Sequence, residues 1–131
     1  LSKKTKPTNA KALATMISIV ADEKIAVDIT VMKLDNIEHA PSEYFVICTC
    51  GSEPQMKAVV DAVEDRCIEV GIKRPKVEGF GRTNWIILDF FDVVMHIMLK
   101  ESREFYRIEK LWSDAEFFTL SEKNRLIKKS E

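Results

Sequence analysis

The sequence predicts an α/β (α+β) domain built as a mixed five-stranded sheet packed with helices. Two observations carry that expectation. Apolar positions follow helical spacing in three stretches, and short apolar or alternating runs lie between them, in the order helix, two strands, helix, three strands, helix. A tight turn joins two of the strands, while the second helix separates others by a crossover. Such a combination mixes strand directions and places helices against the sheet.

Each element has its own signal. Residues 1–9 read as a flexible basic tail, with Lys3, Lys4 and Lys6 and no acid among the first eight. Apolar positions 10, 13, 14, 17, 20 and 21 define a first helix after a potential cap at Thr8. Ile29 and Val31 alternate with polar neighbours, as in a half-exposed strand ending near Leu34, and a loop containing Pro41 follows. Tyr44–Cys50 (YFVICTC) is continuously apolar, the pattern of a strand covered on both faces. Gly51 turns the chain, and Ser52 with Gln55 forms a capping box that tolerates Pro54 in the first turn. The second helix carries Val59, Val63, Cys67 and Val70 on its inner stripe and ends at Gly71, a natural left-handed terminator.

A third strand begins at Lys76, and Gly81–Asn84 reads as a turn. Residues 85–90 and 93–99 make a hairpin around Phe91 and Asp92. Ser102 is positioned to cap a third helix running through Trp112, with Phe105, Ile108, Leu111 and Trp112 as its buried stripe. Residues 10–115 thus form the domain, and 116–131 read as an extension with a short helix near Leu126.

Bulk properties restrict the function classes. A chain of 131 residues suits one domain that buries about two-thirds of its unfolded surface. No apolar run approaches a membrane span, and no signal-like segment opens the chain. Three cysteines without framework spacing point to a reducing compartment, hence the cytosol. A net charge of −1 does not favour a protein that lives on phosphate neutralisation. Residues 85–116 hold four basic and seven acidic side chains, which favours a basic protein partner over bare RNA.

Gly51-Ser52 before a helix can hold an anion, and the same pair occurs in magnesium-dependent nucleotidyltransferases. Those enzymes also need carboxylates on neighbouring strands, and no Asp-x-Asp pair lies on a strand here. The alternative reading is therefore a turn glycine and a helix cap. Cys48 and Cys50 face one side of a strand, but the remaining Cys67, His39 and His96 do not cluster in sequence, so no metal or cofactor is expected. His96 in an apolar strand is either a hydrogen-bonded structural residue or a recognition group. Trp85, beside Thr83 and Asn84, is either core or an interface anchor. Arg103 and Tyr106 present polar tips to a partner or to a local salt bridge.

Three strings carry a family likeness: VEG at 77–79, WIILDFFDVVMHIM at 85–98 and SREFYRIEKLWSDA at 102–115. Together with DITVMKLDNI (28–37), SEYFVICTCGS (42–52) and VGIKRPKVEG (70–79), they closely resemble the Iojap family of ribosomal silencing factors. Phe91 and Cys50 stand where that family commonly has glycine or another small residue. The resemblance implies a nucleotidyltransferase-like fold without catalytic carboxylates, and hence no enzyme. It further implies binding to the large ribosomal subunit through its protein fourteen, steric exclusion of the small subunit, and homodimers. Direct RNA contact should be small. On this reading Trp85 is the anchor and Asp89 and Asp92 accept from basic side chains. Glu78, His96, Arg103 and Tyr106 support the surface. The rival function is a divergent magnesium-dependent nucleotidyltransferase using Ser52 and the turn carboxylates.

Overall fold

A computed structural model describes residues 5–79 and 84–129. Its centre is β2 (Tyr44–Cys50), in which all seven residues are buried. That strand runs parallel to β5 (Val93–Leu99), with Ile47 opposite His96. On its other side it pairs antiparallel with β1 (Val27–Lys33). The parallel pair exists because α2 (Glu53–Val70) carries the chain from the end of β2 back over the sheet. Hairpin partner β4 (Trp85–Asp89) continues the sheet beyond β5, and the short β3 (Lys76–Glu78) closes that edge.

The sheet has seven strands, not the five expected. The additional pair is β6 (Glu116–Leu120), antiparallel to β1, and β7 (Leu126–Lys128). Residues near Leu126 are therefore a strand and not a short helix. Phe117, Phe118 and Thr119 favour a pleated surface, and Asn124, at φ 59, lets the chain reverse so that Ser121 N–H reaches the Arg125 carbonyl.

Alternation along β2 divides the core. Tyr44, Val46, Cys48 and Cys50 face α1 (Ala10–Glu23) and α2, which supply Ala14, Ile17, Val20, Val59, Val63 and Cys67. Phe45 and Ile47 face the other way, toward Met32, Leu34, Met98 and Ile108. Helix α1 is capped by Asn9 and not by Thr8, its carboxamide oxygen accepting from Ala12 N–H at 2.8 Å. Helix α2 starts and ends as expected, at Ser52 and at left-handed Gly71. Gln55 departs slightly from a capping box, since its Oε1 accepts from Gly51 N–H rather than from Ser52.

The third helix differs most from expectation. It breaks at Arg107, whose φ of 48° is left-handed, into α3 (Lys100–Tyr106) and α4 (Ile108–Leu111). Ser102 is not the cap: it lies buried inside α3, while Leu99 takes the cap position without a side-chain bond. Phe105 and Leu111 are each 76% exposed, so only Ile108 is buried, with Trp112 partly so, from the expected stripe. Of the turn expected at Gly81–Asn84, residues 81–83 lie outside the described residues. Gly79 just before it has φ 80, and any Cβ there would collide with the Trp85 carbonyl oxygen.

Candidate docking site

Strand alternation sorts the candidate residues. On β4, Ile86 and Leu88 are buried beneath the two long helices, while Trp85, Ile87 and Asp89 occupy the opposite face and stay half-buried. Register then aligns Glu78, Ile87, His96 and Ile47 as one row across four strands of that face. Among the described residues the short broken helix α3–α4, with Ile37 and Ala40 of the loop before β2, packs over it, so the face is thinly covered.

A ladder of rings crosses this face from core to solvent. Trp112 meets Phe45 edge-on at 6.2 Å, and Phe45 meets His96 at 4.6 Å. Trp85 Nε1–H donates to His96 Nδ1 at 3.1 Å, and the Trp85 ring lies 4.8 Å from that of Tyr106. Tyr106 in turn holds Phe105 edge-on at 5.0 Å. Phe45 and His96 are almost wholly buried and Trp85 and Trp112 partly so, whereas Tyr106 is 47% exposed and Phe105 stands in water. A rigid aromatic pair braced from behind loses little conformational freedom on contact, the property that makes such residues strong interface anchors.

His96 is the brace. Burial lowers its pKa to about 4, partly offset by the Glu109 carboxylate, so it is neutral at neutral pH. Accepting at Nδ1 assigns the proton to Nε2, which is buried and lacks a partner among the described residues. Its role is to orient Trp85.

Arg103 has turned inward. Its Nη1 donates to the Asp28 carbonyl at 2.7 Å and to Thr49 Oγ1 at 2.9 Å, and Nη2 donates to Thr30 Oγ1 at 3.1 Å. Nε and Nη2 both reach Glu109 Oε2, at 3.0 and 2.7 Å. The Asp28 carbonyl is available because β1 carries an irregularity between Val27 and Thr30, with Asp28 at φ 51. This one guanidinium ties α3 to β1 and β2 and to α4 across the Arg107 break. It thereby positions Phe105 and Tyr106, and each of its three nitrogens is engaged within the chain.

The turn carboxylates lie at the other end of the hairpin. Asp89 Oδ1 accepts from Phe91 N–H at 2.7 Å, so it shapes the turn. Asp92 is exposed, and its carbonyl accepts from both Glu43 and Tyr44 N–H. Glu78 is exposed on the edge strand. Trp85, His96 and Tyr106 are therefore brought together, Arg103 is engaged with β1, β2 and α4, Glu78 lies on the edge strand, and Asp89 and Asp92 lie at the far end of the hairpin. Phe105, Leu111 and Glu109 were not in the sequence-based set. Adjacent Phe105 and Tyr106 held the available signal, since neighbours on a helix diverge by about 100° and cannot both face a core.

The Cys48–Cys50 hydrogen bond splits the two thiols: it holds Cys50 below the usual thiol range against the opposing effect of burial, and with burial it holds Cys48 well above that range, while burial pushes Cys67 to about 11. Among the described residues no His, Cys, Asp and Glu cluster has metal-binding geometry, and no helix is long and apolar enough to cross a membrane.

Comparison with known proteins agrees with this architecture. The profile of a family described as "Ribosomal silencing factor during starvation" matches residues 7–131. A Bacillus subtilis ribosomal silencing factor is 36% identical over 107 residues, spanning 82% of this chain and 90% of that protein. The mouse "Mitochondrial assembly of ribosomal large subunit protein 1" is 32% identical over 101 residues, 75% of this chain and 43% of its own length. A Chromobacterium violaceum crystal structure shares the fold with a TM-score of 0.75 at 24% identity, covering 81% of this chain and 88% of that one. The chain belongs to the ribosomal silencing factor family, which includes the Iojap proteins.

Proposed function

We propose that this chain docks on the large ribosomal subunit through its protein fourteen and sterically prevents the small subunit from joining. The observation that carries the reading is the braced aromatic patch, in which exposed Phe105 and Tyr106 are backed by Trp85 and His96 on the thinly covered face. Family membership directs the patch toward the ribosome, and the mouse relative's name connects that protein with the large subunit. Acidic side chains elsewhere on the surface, Glu78 on the edge strand and Asp92 at the far end of the hairpin, suit a basic ribosomal protein and disfavour extensive RNA contact. Action is by occlusion, without catalysis. A homodimer and a cytoplasmic location belong to the same proposal.

The nucleotidyltransferase alternative finds no comparable support. Gly51 N–H and Ser52 Oγ, which would have to cradle a phosphate, are engaged with Gln55. Asp89 is likewise engaged in its turn.

Co-sedimentation with purified large subunits tests the docking reading. Truncating a central aromatic anchor costs ~2–4 kcal/mol, so Trp85→Ala and Tyr106→Ala should each weaken binding more than tenfold. Undiminished co-migration of both variants would remove the patch from the interface. Subunit reassociation unaffected by excess protein would refute the occlusion mechanism.

A further inference from the structure

Phe91 is placed where folding gains nothing from it. It sits at the tip of the β4–β5 turn with φ 77, a backbone region that bulky side chains rarely enter, and its ring is 84% exposed. The Asp89 carboxylate on its N–H and the Asp92-to-Phe90 backbone bond hold it there. A glycine would adopt this geometry without strain and lose no buried surface.

Beside Phe91 lies a groove of about 440 Å³, with Leu34, Ile37 and Pro41 among its walls. Its acids are Asp35, Glu43 and Asp92, and among the described residues no lysine or arginine lines it. Lys33 Nζ comes no nearer than 4.0 Å to the Asp35 carboxylate, too far for a strong ion pair. The field of the groove reaches Tyr44, whose phenol is pushed up by burial and then by Asp35, Glu43 and Glu116. Leu34 and Ile37 belong to the same apolar cluster as Trp85 and Trp112, so groove and aromatic patch share one side of the sheet.

We propose that the Phe91 groove is a second anchor point, taking a basic, partly apolar protein segment of the large subunit while the Trp85–Tyr106 patch takes the first. Phe91 supplies desolvated ring surface, and Glu43 and Asp92 receive the cationic groups. Like-charge repulsion turns phosphate away, which favours protein over ribosomal RNA. This assignment rests on the docking reading above.

Binding of purified large subunits to the intact chain and four variants tests it. Phe91→Gly and Phe91→Ala should each weaken binding about tenfold, on the scale of an interface anchor. Phe91→Gly should also raise the melting temperature by a few degrees, because it relieves the left-handed strain. A purely structural role for Phe91 would move stability and leave binding alone. The combined variant Asp35→Asn, Glu43→Gln, Asp92→Asn should bind more weakly and with less dependence on salt. If both Phe91 variants bind like the intact chain while Trp85→Ala does not, there is one anchor and the proposal falls alone. Tighter binding by the combined variant would mean that the groove faces phosphate, which also overturns it. Failure of the unaltered chain to bind would bring down the docking reading and this assignment together.

Discussion

The two faces of the sheet are finished by different means. Two long helices close one face, with Ile17, Val20, Val59 and Val63 fully or almost fully buried against β2 and β5. On the other face a broken helix of seven and four residues is held by one arginine and leaves Phe105 largely, and Tyr106 about half, in water. The first face uses non-directional burial, tolerant of small shifts in position. The second uses hydrogen bonds and ring contacts, which fix position but contribute little per unit area. On the docking reading proposed above, recognition belongs to the second face.

Substitutions can break or sharpen that contrast. The largest effect is expected from Arg103→Ala, which leaves Glu109, Thr30 and Thr49 without their donor. Breaking a buried, paired charge costs ~3–5 kcal/mol, readable by urea denaturation, and Trp85 fluorescence should shift to the red as α3 loosens. A change below about 0.5 kcal/mol, typical of surface substitutions, would refute the arginine staple. On the closed face, Ile17→Ala should cost ~2–5 kcal/mol through a cavity, yet the folded fraction should bind large subunits as well as the intact chain does. Weakened binding by that folded fraction would erase the division between faces.

Acid should act on the thinly covered face through His96. Its folded pKa of about 4 lies below the ordinary value, so the unfolded chain binds the proton more readily. Stability is therefore full above pH ~6.5 and falls as pH drops toward 4, by about 3 kcal/mol at most. His96→Phe should flatten the stability profile in that window; an unchanged slope would show that burial does not set the titration. The smallest stability effect is expected at Phe105→Ser, within about 0.5 kcal/mol for so exposed a residue, although subunit binding should weaken. Equal binding would exclude Phe105 from the interface.

Much of this architecture was legible in the chain. The seven apolar residues of β2, the valine stripe and terminal glycine of α2, and the β4–β5 hairpin all obey local periodicity and capping rules. Trp85, His96 and Tyr106 were legible as a group only through family resemblance, because their contacts join a strand pair to a helix. Of the two readings open for Arg103, the local salt bridge is observed with Glu109, but its further acceptors, a carbonyl freed by an irregular strand and a threonine 54 residues away, lay beyond the sequence. No local pattern encodes such a bond. The same limit hid the break at Arg107, where apolar spacing continued while the backbone did not.

The pairing of β1 with both β2 and β6 has a kinetic consequence. Val31 meets Val46 on one side and Phe118 on the other, so one edge of β1 forms from nearby chain and the other waits for a distant segment. Closing the longer loop is entropically slower, and strands emerge from the ribosome in sequence order. Pulse-labelled hydrogen exchange during refolding should protect the β4–β5 amides before those between β1 and β6. Until Phe118 arrives, the growing chain carries an open strand edge beside its own buried centre, the interval in which it is most exposed to mispairing.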